Sequence, residues 1–382
     1  MRRFLFASDS FKGSLASTRI AEILEQEARK AFPNASCSSL PIADGGEGTV
    51  DAVLCACGGE RVHARVEGPL GDMIDAYYGI LPDGRCVIEL AAASGITLVD
   101  RGSLDPLKTS SRGFGQLIRH ALEHGARDII LALGGSATND GGMGAMRALG
   151  VRFLNGRGEE LSGRGEDLSA LADIDCRGLI PKAHEAVFTV MCDVTNPLIG
   201  RKGATAVFGP QKGGTRESLA ELERGMVNYS CLLERKLGVS VASMPGAGAA
   251  GGMGAAAAAF LSARLVSGIE CLMDLAHFDE LLEGADCCFS GEGRVDSQSL
   301  DGKVLSGVAR RCAEAGKPLY VIAGSVGNGA ETLLERGATR IIPCVESDTP
   351  LEEALAHAEE NYRRAASKVF AALLEYGEGE WR

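Results

Sequence analysis

The chain lacks the short motifs that mark several large enzyme classes. It contains no GxxxxGK[ST] loop and neither HRD nor DFG, which excludes the P-loop NTPases and the protein kinases. It also lacks the GxSxG nucleophile elbow of the α/β-hydrolases. Residues 246–251 do match GxGxxG, but Pro245 stands where the preceding strand should run. Close helix packing is therefore favoured over a dinucleotide site.

A disulfide framework, a membrane span and a basic surface are also missing. The twelve cysteines contain no C-x-x-C and lie in apolar stretches, which indicates reduced thiols in a cytosolic protein. The uncharged run at residues 237–263 is mostly Gly, Ala and Ser and contains Pro245, so we expect no membrane helix. An apolar strand pattern begins at residue 3, so we expect no signal peptide and a cytoplasmic location. The net charge of −12 argues against a nucleic-acid surface.

Glycine, by contrast, is abundant. The 382 residues include 51 glycines, about twice the usual share. They gather in loops that also carry acids and hydroxyls. This distribution indicates a backbone that approaches ligands closely.

The order of apolar stretches predicts a doubly wound α/β domain made from the two ends of the chain. Residues 3–7 and 35–40 have strand patterns, and each is followed by a helical pattern. The same rhythm resumes at residue 286. We therefore predict a discontinuous flavodoxin-like domain with a parallel sheet, formed by residues 1–62 and 285–382. Its later segments are expected as strands at 286–290, 319–323 and 340–343, a loop at 291–299 and a helix at 303–315.

Residues 63–284 predict an inserted mixed α/β domain. Alternating stretches at 75–81 and 85–91 flank Pro82-Asp83-Gly84, which is a hairpin signature. Further strands are expected at 128–133 and 187–192. A helix follows Ser110 and Ser111, either of which is placed to cap it.

The predicted topology brings two loops together. In the common strand order 2-1-3-4-5, the loops after the first and third strands lie side by side at the topological switch point, where ligands bind. These loops are residues 9–14 and 291–296. Glu292 and Asp296 there are suited to a cation, and Arg294 and Lys303 to a phosphate or carboxylate.

Five loops carry acids or hydroxyls, four of them together with glycine, and as a group they fit phosphoryl transfer. That reaction requires cations on the phosphates, carboxylates for Mg²⁺ and a carboxylate that takes the acceptor proton. Taken singly, Asp44 is better explained as an N-cap, and Asn139 and Asp140 are better explained as turn residues. The five loops are residues 9–14, 44–49, 134–142, 192–197 and 290–303.

Asp193 is our first choice for the general base or a metal carboxylate. The apolar strand at 187–192 delivers it to a sheet edge, where partial burial would improve it as a base. The alternative is an Asx-turn with the backbone near Thr195 or Asn196. Lys12 and Lys303 are expected to neutralise phosphate charge.

The complete set of candidate residues is as follows. The catalytic candidates are Asp193, Lys12, Asp9 and Asp296, and the metal candidates are Asp193 and Asp296. The candidates for substrate or nucleotide binding are Ser10, Asp44, Gly45, Gly46, Gly134, Gly135, Ser136, Asn139, Asp140, Gly291, Glu292, Gly293, Arg294 and Lys303.

Seven segments, in this order along the chain, resemble the bacterial glycerate kinase family of glycerate and glucarate catabolism. The similarity covers essentially the whole chain. Small departures occur at Ser8, where the family often has Pro, and at Ser290, where Thr is usual. The segments are DSFKGSL (9–15), ADGGEGTVDA (43–52), GGSATNDGG (134–142), CDVTNPL (192–198), FGPQKG (208–213), PGAGAAGG (245–252) and GEGRVDSQSLDGK (291–303).

The resemblance implies ATP-dependent phosphorylation of D-glycerate with Mg²⁺, in a two-domain α/β fold with a cleft between the domains. It favours the 2-hydroxyl over the 3-hydroxyl as acceptor. Oligomeric state is left open, and a homo-oligomer is compatible with the sequence.

Two other functions are weighed against this one. A two-lobed small-molecule binding protein would share the architecture, but it would not need this many acid-bearing loops. A nicotinamide-dependent hydroxy-acid dehydrogenase ranks third.

Overall fold

The structure, a computed structural model, describes residues 1–11, 13–40, 42, 47–296, 304–346 and 349–380, the last five by their backbone alone. The chain divides into two compact units. Unit 1 comprises Met1–Asp44 and Ile269–Arg382, and unit 2 comprises Gly45–Gly268.

The strands are numbered in chain order. They are β1 (Arg3–Phe6), β2 (Ser36–Ser39), β3 (Glu60–Glu67), β4 (Met73–Ile80), β5 (Cys86–Glu89), β6 (Asp128–Ala132), β7 (Arg152–Asn155), β8 (Leu171–Asp175), β9 (Val187–Met191), β10 (Arg264–Val266), β11 (Cys287–Val295), β12 (Leu319–Val326) and β13 (Arg340–Pro343).

The α-helices are numbered in the same way. They are α1 (Ser17–Ala31), α2 (Thr49–Cys57), α3 (Ala91–Ser94), α4 (Arg112–Glu123), α5 (Met143–Ala148), α6 (Pro181–Glu185), α7 (Ala204–Phe208), α8 (Arg216–Leu237), α9 (Met253–Leu261), α10 (Gly268–Leu275), α11 (Phe278–Gly284), α12 (Val304–Glu314), α13 (Thr332–Glu335), α14 (Leu351–Ala356) and α15 (Ala358–Glu380).

Unit 1 contains a five-stranded sheet in the order β13-β12-β11-β1-β2. All four strand pairs are parallel. Counted within the unit this is the order 2-1-3-4-5, so the predicted doubly wound fold is confirmed. Aromatic side chains fill its core: the rings of Phe289 and Phe370 lie 4.8 Å apart, and Phe4 lies 5.3 Å from Phe370. Helix α15 thus packs on one face of the sheet.

One prediction about this sheet was wrong. Residues 291–295 were expected in a loop, but they continue β11, which pairs with β12 as far as Val295. The glycines that indicated a loop instead allow two strands to approach closely. A Cβ added at Gly291 would lie 2.1 Å from the carbonyl oxygen of Ile322, far inside van der Waals contact.

Unit 2 contains a six-stranded sheet in the order β10-β9-β6-β5-β4-β3. Strands β3, β4 and β5 are antiparallel neighbours, and β5, β6, β9 and β10 run parallel. The predicted hairpin and the mixed α/β character are therefore confirmed. Strands β7 and β8 form a separate antiparallel pair.

The unit boundaries lie at residues 44/45 and 268/269, whereas the sequence pattern placed them at 62/63 and 284/285. Two packing contacts explain the shift. Gly79 of β4 faces α2 so closely that an added Cβ would lie 3.2 Å from Val50. On the other side, Arg311 of α12 binds Glu270 at 2.9 Å. Helix α2 therefore belongs with the second sheet, and α10 belongs with the first.

The glycine-rich segment at 246–251 serves close packing, as expected. Gly251 has a φ of 66°, and a Cβ there would lie 2.1 Å from the carbonyl oxygen of Thr138. Only glycine fits both the conformation and the space. Among the helices that the structure describes, none combines the length and apolar character needed to cross a membrane.

Candidate active site

In unit 1, the segment after β1 and the strand β11 lie side by side, as predicted. The Asp9 N–H donates to the Gly291 carbonyl at 3.0 Å, and the Ser290 hydroxyl donates to the Ala7 carbonyl at 2.6 Å. Asp9 is mostly buried, and its Oδ1 accepts hydrogen bonds from Ser10 N at 2.6 Å and Ser10 Oγ at 3.3 Å. Asp9 and Ser10 are thus held together at the switch point of the parallel sheet.

Arg294 and Asp296 form an ion pair rather than two separate sites. Arg294 Nε lies 3.0 Å from Asp296 Oδ2, and the arginine side chain is 68% exposed. Glu292 and Gly293 stand beside them in β11, and Glu292 is half-buried. Because the Arg294 side chain is largely exposed, whereas that of Asp296 is 23% exposed, the arginine is the partner that can exchange this contact for a ligand.

Five candidate residues lie outside the described residues. They are Lys12, Asp44, Gly45, Gly46 and Lys303. Their assignment to phosphate or substrate binding stays a prediction.

In unit 2, four parallel strands bring their carboxyl ends into one row. Glu89, Ala132, Met191 and Val266 are successive register partners across β5, β6, β9 and β10. The segments that follow these residues must therefore emerge at the same sheet edge. They carry the loop at 134–140, Asp193 and Ser267.

Asp193 is held from the neighbouring strand. Its Oδ1 accepts hydrogen bonds from Ser267 Oγ at 3.0 Å and Gly268 N at 2.8 Å. Both donors follow β10, so these contacts are tertiary and differ from an Asx-turn with Thr195 or Asn196. The carboxylate is half-buried. A fixed, half-buried carboxylate at a sheet edge is suited to binding a cation or accepting a proton.

The loop at 134–140 is clamped by several elements. The Ile96 N–H donates to the Gly135 carbonyl at 2.8 Å, and the Thr109 hydroxyl donates to the Ala137 carbonyl at 3.0 Å. Gly135 has a φ of 72°, a conformation that glycine adopts without strain. The loop begins two residues after Ala132, the last residue of β6, so its backbone is fixed at the end of that strand.

Asn139 and Asp140 lie inside the protein. Both are fully buried. Asn139 donates to the hydroxyl of Thr205 at 3.1 Å. Asp140 accepts from Ser111 N at 2.7 Å and Ser111 Oγ at 2.8 Å, and it also accepts backbone N–H groups at the start of α5. Burial raises the pKa of Asp140.

Asp140 is therefore positioned as a structural carboxylate that ties α4 to α5. It also explains why the Ser111 side chain does not cap α4, whereas the Ser110 hydroxyl accepts from the N–H of Arg112, the first residue of the helix, at 3.2 Å. The Ser111 hydroxyl donates to Asp140 and accepts from Ala145 N at 3.0 Å.

Sequence reasoning missed Lys212. This lysine lies within the segment FGPQKG and is only 2% exposed. Its Nζ donates to Ser136 Oγ at 2.8 Å and to the Thr138 carbonyl at 2.6 Å. Burial lowers the pKa of Lys212 to about 7. The motif itself was visible in the sequence, but its contact with a loop some seventy residues away depends on the tertiary fold.

Glu89 was missed as well. It is the last residue of β5, is 5% exposed and accepts hydrogen bonds from Gly48 N at 3.3 Å and from Val50 N. Burial raises the pKa of Glu89 to about 7, although these N–H groups act in the opposite direction. The only sequence signal was an acid at the end of an apolar strand.

The two edges supply carboxylates, hydroxyls, glycine-rich backbone and a buried cation. Among the described residues, no group of three His, Cys, Asp or Glu side chains is arranged to hold a metal ion. Mg²⁺ sites in phosphotransferases commonly use one or two carboxylates and complete the shell with phosphates and water.

A doubly wound sheet and a mixed sheet, each with polar loops at its carboxyl edge, define a two-unit α/β enzyme. Residues 4–374 match the family model described as "Glycerate kinase family". The chain belongs to the glycerate kinase family, and it is a kinase.

Individual relatives agree with this assignment. "Glycerate kinase" of Halalkalibacterium halodurans is 44% identical over 97% of both chains. "Glycerate 2-kinase" of Escherichia coli K12 is also 44% identical, over 97% of this chain and 98% of its own. A crystal structure from Salmonella typhimurium LT2, provisionally named glycerate kinase 2, matches with a TM-score of 0.85 and 44% identity. It covers 97% of this chain and 98% of that one.

Proposed function

We propose that the protein transfers the γ-phosphoryl group of ATP to the 2-hydroxyl of D-glycerate and releases 2-phosphoglycerate, in the breakdown of organic acids. The observation that carries this proposal is full-length similarity to relatives named as glycerate kinases, one of them a "Glycerate 2-kinase". The polar loops at the sheet edges supply the chemical groups that such a transfer needs.

Asp193 is the proposed general base or metal carboxylate. Phosphoryl transfer depends mainly on positioning and on stabilising charge. The hydrogen bonds from Ser267 and Gly268 fix the carboxylate, which suits either role. Asp9 and Asp296 are the alternative acids at the edge of unit 1, and Lys12 and Lys303 are proposed to contact phosphate.

Asp193 and Asp296 are the proposed carboxylates for Mg²⁺, because carboxylate oxygens are the ligands that this ion prefers. The Asp296 carboxylate is paired with Arg294 at 3.0 Å, and a neighbouring cation disfavours a second one. Asp193 Oδ1 accepts hydrogen bonds from Ser267 Oγ and Gly268 N. When bound, the ion would neutralise phosphate charge.

We also propose a cytoplasmic location. All twelve cysteines lie within the described residues and are free thiols, which is usual for proteins of reducing compartments. The partners are then the two small-molecule substrates, D-glycerate and ATP.

Phosphorus NMR of the product tests the proposal. The protein is incubated with Mg-ATP and D-glycerate, and the proton-coupled spectrum is recorded. In 2-phosphoglycerate the phosphorus couples to a single methine proton and gives a doublet, whereas in 3-phosphoglycerate it couples to a methylene group and gives a triplet. We expect the doublet, and L-glycerate serves as the control substrate.

Other results would contradict the proposal in different ways. A triplet would move the acceptor to the 3-hydroxyl. D-glycerate binding without any new phosphate ester would favour a two-lobed binding protein.

A further inference from the structure

We propose that Lys212 is a charged positioning residue: it fixes the loop at residues 134–139 and gives that loop the positive potential needed to bind an anionic group of a substrate. The anion is a phosphate or a carboxylate. This inference rests on the proposed function only in naming ATP and D-glycerate as the sources of that anion.

The first argument is the mismatch between the charge of Lys212 and its surroundings. A buried cation is costly unless it is paired, yet Lys212 is 2% exposed and its described acceptors, Ser136 Oγ and the Thr138 carbonyl, are both uncharged. Asp140 favours the charged form electrostatically. However, the Asp140 carboxylate accepts its hydrogen bonds from Ser111 and from the start of α5.

The second argument is the state of the surrounding polar groups. Ser94 Oγ, Thr138 Oγ1 and Asn139 Oδ1 are buried side-chain atoms without a hydrogen-bond partner among the described residues. Such groups are rare and require an explanation. Thr138 and Asn139 belong to the loop that Lys212 holds, and the backbone carbonyl of Ser94 accepts from the Ala137 N–H of that loop at 2.9 Å. The unsatisfied side-chain atoms thus lie in one loop or next to it.

The third argument is location. The loop follows β6, whose last residue, Ala132, is in register with Glu89 on one side and Met191 on the other. Asp193 therefore emerges beside it. When they are ionised, Glu89 and Asp193 on the two sides of the loop repel an anionic substrate, and the Lys212 ammonium, which contacts the loop at Ser136 and Thr138, offsets that repulsion. Because Lys212 is buried, solvent screens its charge only weakly. A bound anion would in turn favour the charged form of Lys212, against the burial that lowers its pKa.

The test is binding of ADP and of D-glycerate, each alone, to the full-length protein by calorimetry. Lys212→Met removes the charge and keeps the length of the side chain, and Lys212→Arg keeps the charge. We expect Lys212→Met to weaken at least one ligand about tenfold or more, and Lys212→Arg to restore most of the loss. The ligand that weakens identifies the source of the anion.

Lys236→Met is the matched control, because it also removes one positive charge. Lys236 lies on the surface, where it pairs with Asp173 at 2.6 Å. It should leave both affinities unchanged. Wild-type affinity for both ligands in Lys212→Met would overturn the proposal, as would equal losses in Lys212→Met and Lys236→Met.

Hydrogen exchange on the wild-type protein covers the case in which Lys212→Met does not fold. Amides of residues 134–139 should be protected by ADP or by D-glycerate, and an absence of protection by both would also overturn the proposal. These binding measurements do not depend on turnover. Failure of the proposed function would appear separately, as a missing phosphate ester in the NMR experiment.

Discussion

Replacing Glu89 by glutamine should remove a loss of unfolding free energy that unit 2 undergoes as the pH rises. The carboxyl lies 5% exposed at the end of β5 and accepts the N–H groups of Gly48 and Val50. Burial raises its pKa from the ordinary 4.5 to about 7. The unfolded chain releases this proton near the ordinary value, so between these two pH values the folded state binds more protons. The contribution of Glu89 to the free energy of unfolding therefore falls as pH rises through this window and is constant above it.

The size of the effect follows from the shift. One pKa unit corresponds to about 1.36 kcal/mol, so a shift of this size is worth about 3 kcal/mol at neutral pH and above. The glutamine variant stays neutral and keeps one acceptor oxygen, which can serve the Val50 N–H, while its NH₂ group replaces the oxygen that accepts the longer bond from Gly48 N at 3.3 Å. We therefore expect Glu89→Gln to have similar stability to the wild type near pH 4.5 and to exceed it by up to about 3 kcal/mol near pH 8.

The assay is urea unfolding of the full chain, followed by hydrogen exchange in peptides from α2 and β4 at both pH values. Glu123→Gln is the control, because Glu123 is exposed and pairs with Arg119, and the pKa of Glu123 is lowered mainly by that hydrogen bond. The control should show no gain at high pH. A stability difference between wild type and Glu89→Gln that is the same at both pH values would refute the reasoning.

Two further predictions concern activity and packing. Asp193→Asn should fold and lose about two decades or more of kcat in an ADP-release assay, because charge and basicity are removed while the acceptor oxygen remains; full activity would make Asp193 structural. Gly291→Ala should destabilise unit 1 by about 2 kcal/mol or more in thermal unfolding, because its Cβ would meet the Ile322 carbonyl at 2.1 Å. Gly284→Ala, where the added Cβ meets open space, is the control, and an equal loss in both variants would contradict the packing argument.

The fold was predictable from the sequence where the alternation of apolar strand and helix patterns alone decides the structure. The alternation of strands and helices predicted the order of the five parallel strands, because short connections and a right-handed crossover leave few alternatives. It failed at residues 291–295, because glycine marks both loops and strands that pack closely. Only the partner strand, with Ile322 opposite Gly291, distinguishes the two cases.

The candidate site was less predictable for a related reason. Asp9 and Asp193 were predicted as candidates because each follows an apolar strand, and the structure holds both by hydrogen bonds at a sheet edge. Lys212 and Glu89 were not predicted as candidates, because what distinguishes them is burial, and burial of a charged residue depends on distant parts of the chain. The sequence alone does not show that the side chain of a charged residue will be buried.

The insertion of unit 2 within unit 1 has a consequence for synthesis of the chain. Strand β1 lies between β2 and β11 in its sheet, and β11 is translated far later than β1: Arg3 N donates to the carboxylate of Asp286, 283 residues further along the chain. A growing chain releases unit 2 as one continuous stretch, whereas β1 keeps an open edge until residues beyond 286 emerge. Domains generally fold as units during synthesis, and unpaired strand edges promote aggregation. During translation, β1 therefore presents an unpaired apolar edge for as long as unit 2 takes to be synthesised.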